Sequence, residues 1–243
     1  MSEKSVVKVD ACFSPHLYSL YKEEENIVVI IDIFRATTAI CTAFQHGAKE
    51  IIPVATIEEA RSYLQKGILV GAERDAIKVD GFDFGNSPYD YMGDHVFGKT
   101  IALTTTNGTQ AIEVSKNAFK VVIGAFTNIS ALCDWLVTQN KNILLLCSGW
   151  KNRFNLEDSL FAGAMTFELL KRNPDLKLGD AALALDYLYQ LASKNPIKFL
   201  SRASHKERLH KLNLKDDIRY CLQKDLTNCI PVLEKGILVN MNY

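Results

Sequence analysis

Residues 27–42 read IVVIIDIFRATTAICT, and this stretch decides the fold. Five β-branched residues, Ile27 to Ile31, run without alternation into Asp32. That composition belongs to a strand covered on both faces, and so to a central parallel strand. From Ala36 onward the stretch reads as a helix that returns across the same sheet. Asp32 and Arg35 then fall at the carboxyl end of a strand, where open α/β sheets place their ligands.

On either side of this stretch apolar runs alternate with helical spacing, which argues for a mainly parallel sheet covered on both faces. Strands are predicted at Val6 to Phe13, Ile27 to Asp32, Ile51 to Val54, Ile68 to Gly71, Thr100 to Leu103, Val121 to Gly124 and Ile143 to Cys147. Helices are predicted at Thr37 to His46, closed by Gly47, and at Ile57 to Gln65, capped by Thr56 with Glu58 and Glu59 in its first turn. Two more follow at Thr109 to Lys116 and Asn128 to Gln139. Residues 73–98, ERDAIKVDGFDFGNSPYDYMGDHVFG, hold four of the thirteen glycines and no helical period. A loop of this length inside a compact domain is usually functional.

Beyond Ser148 the pattern turns helical. One helix carries Leu160, Ala164, Phe167 and Leu170 on one face and stops before Pro174. Others span Gly179 to Ser193, Ser204 to Leu212 and Lys215 to Asp225. Two short apolar runs, Ile230 to Leu233 and Ile237 to Val239, end the chain. The expectation is a single α/β domain over residues 1–243, with a mainly helical lobe from about 157 to 228.

Lysine and arginine number 28, as do aspartate and glutamate. Bulk charge therefore points to neither nucleic acid nor an anionic membrane surface. The start, MSEKSVVKVD, lacks a signal-peptide pattern, and no apolar run approaches the ~18–20 residues that span a bilayer. A cytoplasmic protein is expected. The six cysteines show no CxxC spacing and read as buried, reduced side chains.

The sharpest local signal is residues 104–109, TTTNGT, between an apolar strand and a helix. Its hydroxyls, an Asn-Gly pair and a helix N-terminus suit an oxyanion, although turn and cap chemistry alone explains the same residues. Asp32, directly after a buried strand, needs a partner, hydrogen bonds or a metal. Arg35 is either that partner or a fork for an oxyanion, and Thr37 and Thr38 are caps or further donors. Glu73 and Arg74 again set an acid and a base at a strand end. Asp83, Asn86 and Ser87 add oxygen ligands and turn formers. Glu157 and Asp158 either answer a helix dipole behind an Asn155 cap or join Asp32 around Mg²⁺. His205 and Arg208 share one face of a helix.

These segments resemble the 2-phosphosulfolactate phosphatase family. The resemblance rests on DIFRATT (32–38), GAKEIIPV (47–54), GAER (71–74), GFDFGNSP (81–88), TTTNGT (104–109), NLED (155–158) and AG (162–163), with SHKERL (204–209) and LKDDIRYC (214–221) fitting more loosely. The segment SGWKNRFNLED (148–158) departs from it, being polar where a glycine-rich loop is expected. The resemblance implies a three-layer α/β/α fold with a mixed, mostly parallel sheet. It also implies a Mg²⁺-dependent acid phosphatase that releases 3-sulfolactate and phosphate from 2-phospho-3-sulfolactate, a step of coenzyme M biosynthesis in methanogens.

On this footing Asp32, Arg35, Glu73 and Arg74 are the expected catalytic residues. Thr37, Thr38, Asn86, Ser87, Thr105, Thr106, Asn107, Gly108, Thr109 and His205 are expected at the substrate and phosphate. Asp32, Glu157 and Asp158 are expected at the metal. Direct water attack is favoured over an aspartyl-phosphate, because the strand end reads Asp-Ile-Phe and lacks Asp-x-Asp. A phosphatase for another acidic phosphomonoester and a non-catalytic binder of an acidic metabolite remain as alternatives, and a homo-oligomer remains open.

Overall fold

The structure, a computed structural model, describes residues 6–203 and 214–241. Among these residues eleven strands form one sheet. They are β1 (Lys8–Cys12), β2 (Ile27–Ile31), β3 (Glu50–Pro53), β4 (Leu69–Arg74), β5 (Ile77–Lys78), β6 (Thr100–Thr104), β7 (Lys120–Gly124), β8 (Ile143–Cys147), β9 (Lys177–Leu178), β10 (Pro231–Glu234) and β11 (Ile237–Asn240). The order is β5-β4-β6-β3-β11-β10-β7-β2-β8-β1-β9. Two parallel blocks, β4-β6-β3 and β7-β2-β8-β1-β9, flank the antiparallel hairpin β10–β11.

Strand β2 is fully buried and paired in parallel on both sides, Val29 lying opposite Val122 on one flank and Leu145 on the other. Its side chains alternate between two cores, because successive residues of a strand point to opposite faces. Ile27, Val29 and Ile31 pack with α4 (Ile129–Thr138), α5 (Leu156–Arg172) and α6 (Asp180–Ala192). Val28 and Ile30 pack with α1 (Ala36–Gln45) and α3 (Gly108–Ser115). The result is the three-layer α/β/α arrangement with a mixed, mostly parallel sheet. Helix α2 (Ile57–Leu64) covers the β4–β6 edge, and side chains close both sides of its N-terminus. Thr56 Oγ1 accepts from Glu59 N at 3.0 Å, while Glu59 accepts from Ala55 N at 3.0 Å.

The sheet curls, and the curl builds the site. Strands β6 and β2 lie five steps apart, about 24 Å in a flat sheet at about 4.8 Å per step. Yet a Cβ placed on Gly108, at the start of α3, would sit 3.0 Å from the Asp32 carboxylate. Inward side chains of β2, β3, β6 and β11 (Ile30, Ile51, Leu103 and Leu238) line one small cavity with α1 and α3. The inserted hairpin pairs with each block through a single register pair, Leu238–Ile51 and Val232–Val122.

Several predicted boundaries shift. The segment 73–98 is less irregular than expected: β4 runs on to Arg74, β5 turns back beside it, and short 3-10 turns occupy Pro88–Tyr91 and Asp94–Val96. The two C-terminal apolar runs do not merely end the chain but enter the middle of the sheet. The last predicted helix stops earlier, as α8 (Lys215–Cys221), after the short α7 (Pro196–Phe199). The helix predicted at Ser204 to Leu212 lies outside the described residues, as does the site residue His205. All six cysteines are free and buried. Among the described residues no helix is long and apolar enough to cross a membrane.

Candidate active site

The carboxyl ends of β2 and β4, one strand from each block, deliver Asp32 and Glu73 to one recess, lined also by Phe34, Arg35, Ala76, Asn86, Asn107 and Trp150. Its volume is about 10 Å³, enough for one water-sized group. The recess lies at the carboxyl ends of strands, as the sequence predicts. Asp32 is buried there against the N-terminus of α3, whose partial positive charge offsets the cost of burying the carboxylate. Gly108 permits this approach, since a side chain in its place would press on Asp32 Oδ2 and Ala36 Cβ, both at 3.0 Å.

Glu73 is fixed from two sides. Its Oε1 accepts from Ala76 N at 2.5 Å and from the Thr106 hydroxyl at 3.1 Å. Thr106 thus ties the TTTNGT turn to β4. Asn86, also buried, faces the recess, and its Oδ1 accepts no hydrogen bond from the described protein atoms.

Arg35 corrects an expectation. Its fork does not close on Asp32: Nη1 donates to Asp217 Oδ2 at 2.5 Å and Nη2 to the Ala76 carbonyl at 2.8 Å. Asp217, in α8, went unnoticed in the sequence because two acids at a helix start read as ordinary dipole partners. Trp150 was also missed, carrying no motif of its own.

Neighbouring residues on a strand face opposite ways, and Arg74 accordingly leaves the recess that Glu73 enters. It donates to the Thr104 hydroxyl at 3.2 Å and lines an open cleft of about 350 Å³ with Thr105, Thr106, Thr109 and Gln110. Thr106 therefore stands in the wall between recess and cleft.

Other predicted binding residues serve the backbone. Thr37 Oγ1 accepts from Asp32 N at 3.2 Å, and the Thr38 hydroxyl donates to the Ile33 carbonyl at 3.0 Å; both are fully buried. They hold the Asp32 loop to α1 and do not line the recess. Ser87 Oγ caps the 3-10 turn by accepting from Tyr89 N at 3.3 Å. Thr105 and Thr109 bond each other across the start of α3, Thr109 N to Thr105 Oγ1 at 3.2 Å and Thr109 Oγ1 to the Thr105 carbonyl at 3.0 Å.

The expected metal set also divides. Glu157 and Asp158, both buried, stand in the first turn of α5 but do not line the recess. Asp158 accepts from Ile33 N at 2.9 Å through Oδ1, and from Gly149 N at 3.2 Å and Asn155 Nδ2 at 2.8 Å through Oδ2. Burial, together with the nearby Asp32 and Glu157 charges, holds its carboxyl well above the usual carboxylate range. Asn155 takes the N-cap position without a side-chain cap bond; its amide goes to Glu157 and Asp158. Among the described residues no three His, Cys, Asp or Glu side chains are placed to hold one metal ion together. The recess instead offers Asp32, Glu73 and the orphaned Asn86 carbonyl oxygen. Such a short oxygen set suits Mg²⁺, which keeps several waters and uses one or two carboxylates with substrate oxygens.

A family model described as 2-phosphosulpholactate phosphatase matches residues 12–236. A protein of Thermotoga petrophila named probable 2-phosphosulfolactate phosphatase is 41% identical over 216 residues, 89% of this chain and 92% of its own length. Proteins with the same name from Clostridium novyi and Clostridium acetobutylicum are 37% and 36% identical, covering 93% and 95% of this chain and 96% and 99% of theirs. The match spans every strand end that builds the recess, and the chain belongs to the 2-phosphosulpholactate phosphatase family, hydrolases that act on phosphoric monoesters.

Proposed function

We propose that this phosphatase takes 2-phospho-3-sulfolactate, the substrate its relatives are named for, and releases 3-sulfolactate and phosphate with Mg²⁺ bound at Asp32. The observation that carries this reading is the pairing of a small oxygen-lined recess, walled in part by Asp32, Glu73 and Asn86, with an adjoining open cleft that presents Arg74 and threonine hydroxyls. A polyanion needs both. Asp32 and the Asn86 carbonyl oxygen would hold Mg²⁺, which when bound supplies charge stabilisation for the phosphoryl oxygens.

The remaining roles fall to the chain itself. The N-terminus of α3 lies against Asp32, and its partial positive charge would favour phosphoryl oxygens there. Arg35, fixed by Asp217 and Ala76, keeps a positive charge at the recess wall. Glu73, held by Thr106 and Ala76, is placed to accept a proton from an attacking water. Arg74 offers its guanidinium to the sulfonate or carboxylate in the cleft.

The test is phosphate release from 2-phospho-3-sulfolactate, with and without Mg²⁺, beside a panel of phosphomonoesters that includes 2-phospholactate. Preference for the sulfonated ester, dependent on Mg²⁺, is expected. Equal turnover of the two esters would sink the substrate assignment. Ligand-induced stabilisation without phosphate release would make the chain a binding protein.

A further inference from the structure

We propose that α6 is the interface of a twofold-symmetric homodimer. The helix has two apolar faces. Ala182, Leu185, Tyr189 and Ala192 are buried against the outer layer of the core. On the opposite side Leu183, Tyr187 and Leu191 recur at i, i+4 and i+8, and are 38%, 59% and 81% exposed. A surface helix ordinarily carries polar residues on that side.

The charges at the ends of this stripe select its occupant. Asp180 opens the helix and Lys194 follows its last turn, both exposed, each seven residues from Tyr187. A second copy crossing antiparallel at Tyr187 sets Leu183 against the partner's Leu191. The same crossing sets Asp180 against the partner's Lys194, and does so at both ends. An isologous contact requires a patch complementary to itself, and a face ordered acid, three apolar residues, base has that property for the antiparallel copy. A parallel copy would set like charges together. Neither the recess nor the cleft is lined by a residue of α6.

The experiment is sedimentation equilibrium of the full chain across the micromolar range, with thermal unfolding as the check on folding. The wild type is expected at twice the mass of one chain. Leu191→Glu should weaken association roughly tenfold or more. Asp180→Lys and Lys194→Asp should each weaken it, and the double variant should restore it. In parallel, Tyr187→Cys should cross-link to its own copy on oxidation, the six native cysteines being buried. A monomer throughout, a dimer indifferent to Leu191→Glu, a folded double variant that fails to recover association, or a Tyr187→Cys protein that does not cross-link overturns the proposal.

Discussion

Arg35 and Asp217, 182 residues apart in the chain, meet at 2.5 Å with both side chains buried. The pair fastens α8 to the loop that carries Asp32, and the second arm of the guanidinium fastens the same loop to Ala76 beyond β4. Removing one member of such a pair leaves a buried charge without its counterpart. Asp217→Ala should therefore cost about 3–5 kcal/mol in urea unfolding, and turnover should fall as Arg35 loses its position. Arg35→Lys keeps the charge but reaches only one of the two acceptors, so a loss of about 1–3 kcal/mol is expected. A change below about 0.5 kcal/mol in both variants, the level of an ordinary surface substitution, would show that the pair fixes nothing.

Asp32 is the residue on which the proposed metal depends. Asp32→Asn keeps the shape of the side chain while removing its charge, so the fold should persist and Mg²⁺-dependent turnover should vanish. The same variant tests binding without turnover. Mg²⁺ at a hundredfold excess over its Kd should stabilise the wild type by about 2.7 kcal/mol in thermal unfolding and the variant far less. Equal stabilisation of both proteins would move the metal away from Asp32.

The legible parts of the sequence were those that local chemistry dictates. Ile27 to Ile31 announced a doubly covered strand because nothing in the run alternates, and Thr56 announced a helix start because its capping bond is local. TTTNGT was legible as a strand-to-helix turn, and it does reach the recess: Asn107 lines it, Thr106 bonds Glu73 and Gly108 lies against Asp32. What stayed hidden depends on long-range closure. The strand character of Ile237 to Val239 is visible, but not its insertion beside β3. Asp158 looked like a dipole partner or a metal ligand, yet it receives the Ile33 amide from 125 residues away. Arg74 and Glu73 looked like one motif, and the pleat of β4 sends them into different cavities.

Gly108 tests how tightly α3 must lie on Asp32. An added methyl would meet Asp32 Oδ2 and Ala36 Cβ at 3.0 Å and Thr105 Oγ1 at 3.2 Å, with neighbours on three sides. Alanine is the better helix former, but overpacking of this kind costs about 1–3 kcal/mol. Gly108→Ala is expected to fold with reduced stability and to lose roughly ten- to hundredfold in kcat as Asp32 is displaced. Wild-type kcat in a folded variant would mean that the close approach is not needed for turnover.

Asp158 gives the molecule a pH dependence whose sign follows from its surroundings. Burial beside Asp32 and Glu157 raises its carboxyl in the folded chain, so between the unfolded value near about 4 and the raised value the folded state holds the extra proton. Stability therefore falls as pH rises from about 4 through that window, by at most about 1.4 kcal/mol per pH unit for one proton. Asp158→Asn removes the titration. It should start from a lower stability, because an amide cannot accept all three N–H bonds, but its stability should vary less with pH. Thermal unfolding from acid to neutral pH reads the slope, and a variant as steep as the wild type would place the titrating group elsewhere.

Arg74 separates binding from chemistry. It is half-buried, lines the open cleft and keeps clear of the recess, so its contribution should appear in KM. A charge-assisted hydrogen bond to a substrate anion is worth about 1.5–3 kcal/mol. Arg74→Ala should then raise KM for 2-phospho-3-sulfolactate by roughly ten- to a hundredfold with kcat little changed. Lysine at this position keeps the charge without the fork and should fall between the two. The decisive comparison is 2-phospholactate, which lacks the sulfonate. If Arg74 holds the sulfonate, the variant and the wild type should handle that ester alike; if it holds the carboxylate, both esters should suffer equally. A fall in kcat with unchanged KM would instead bring Arg74 into the chemical step, on the far side of Thr106 from where the structure places its guanidinium.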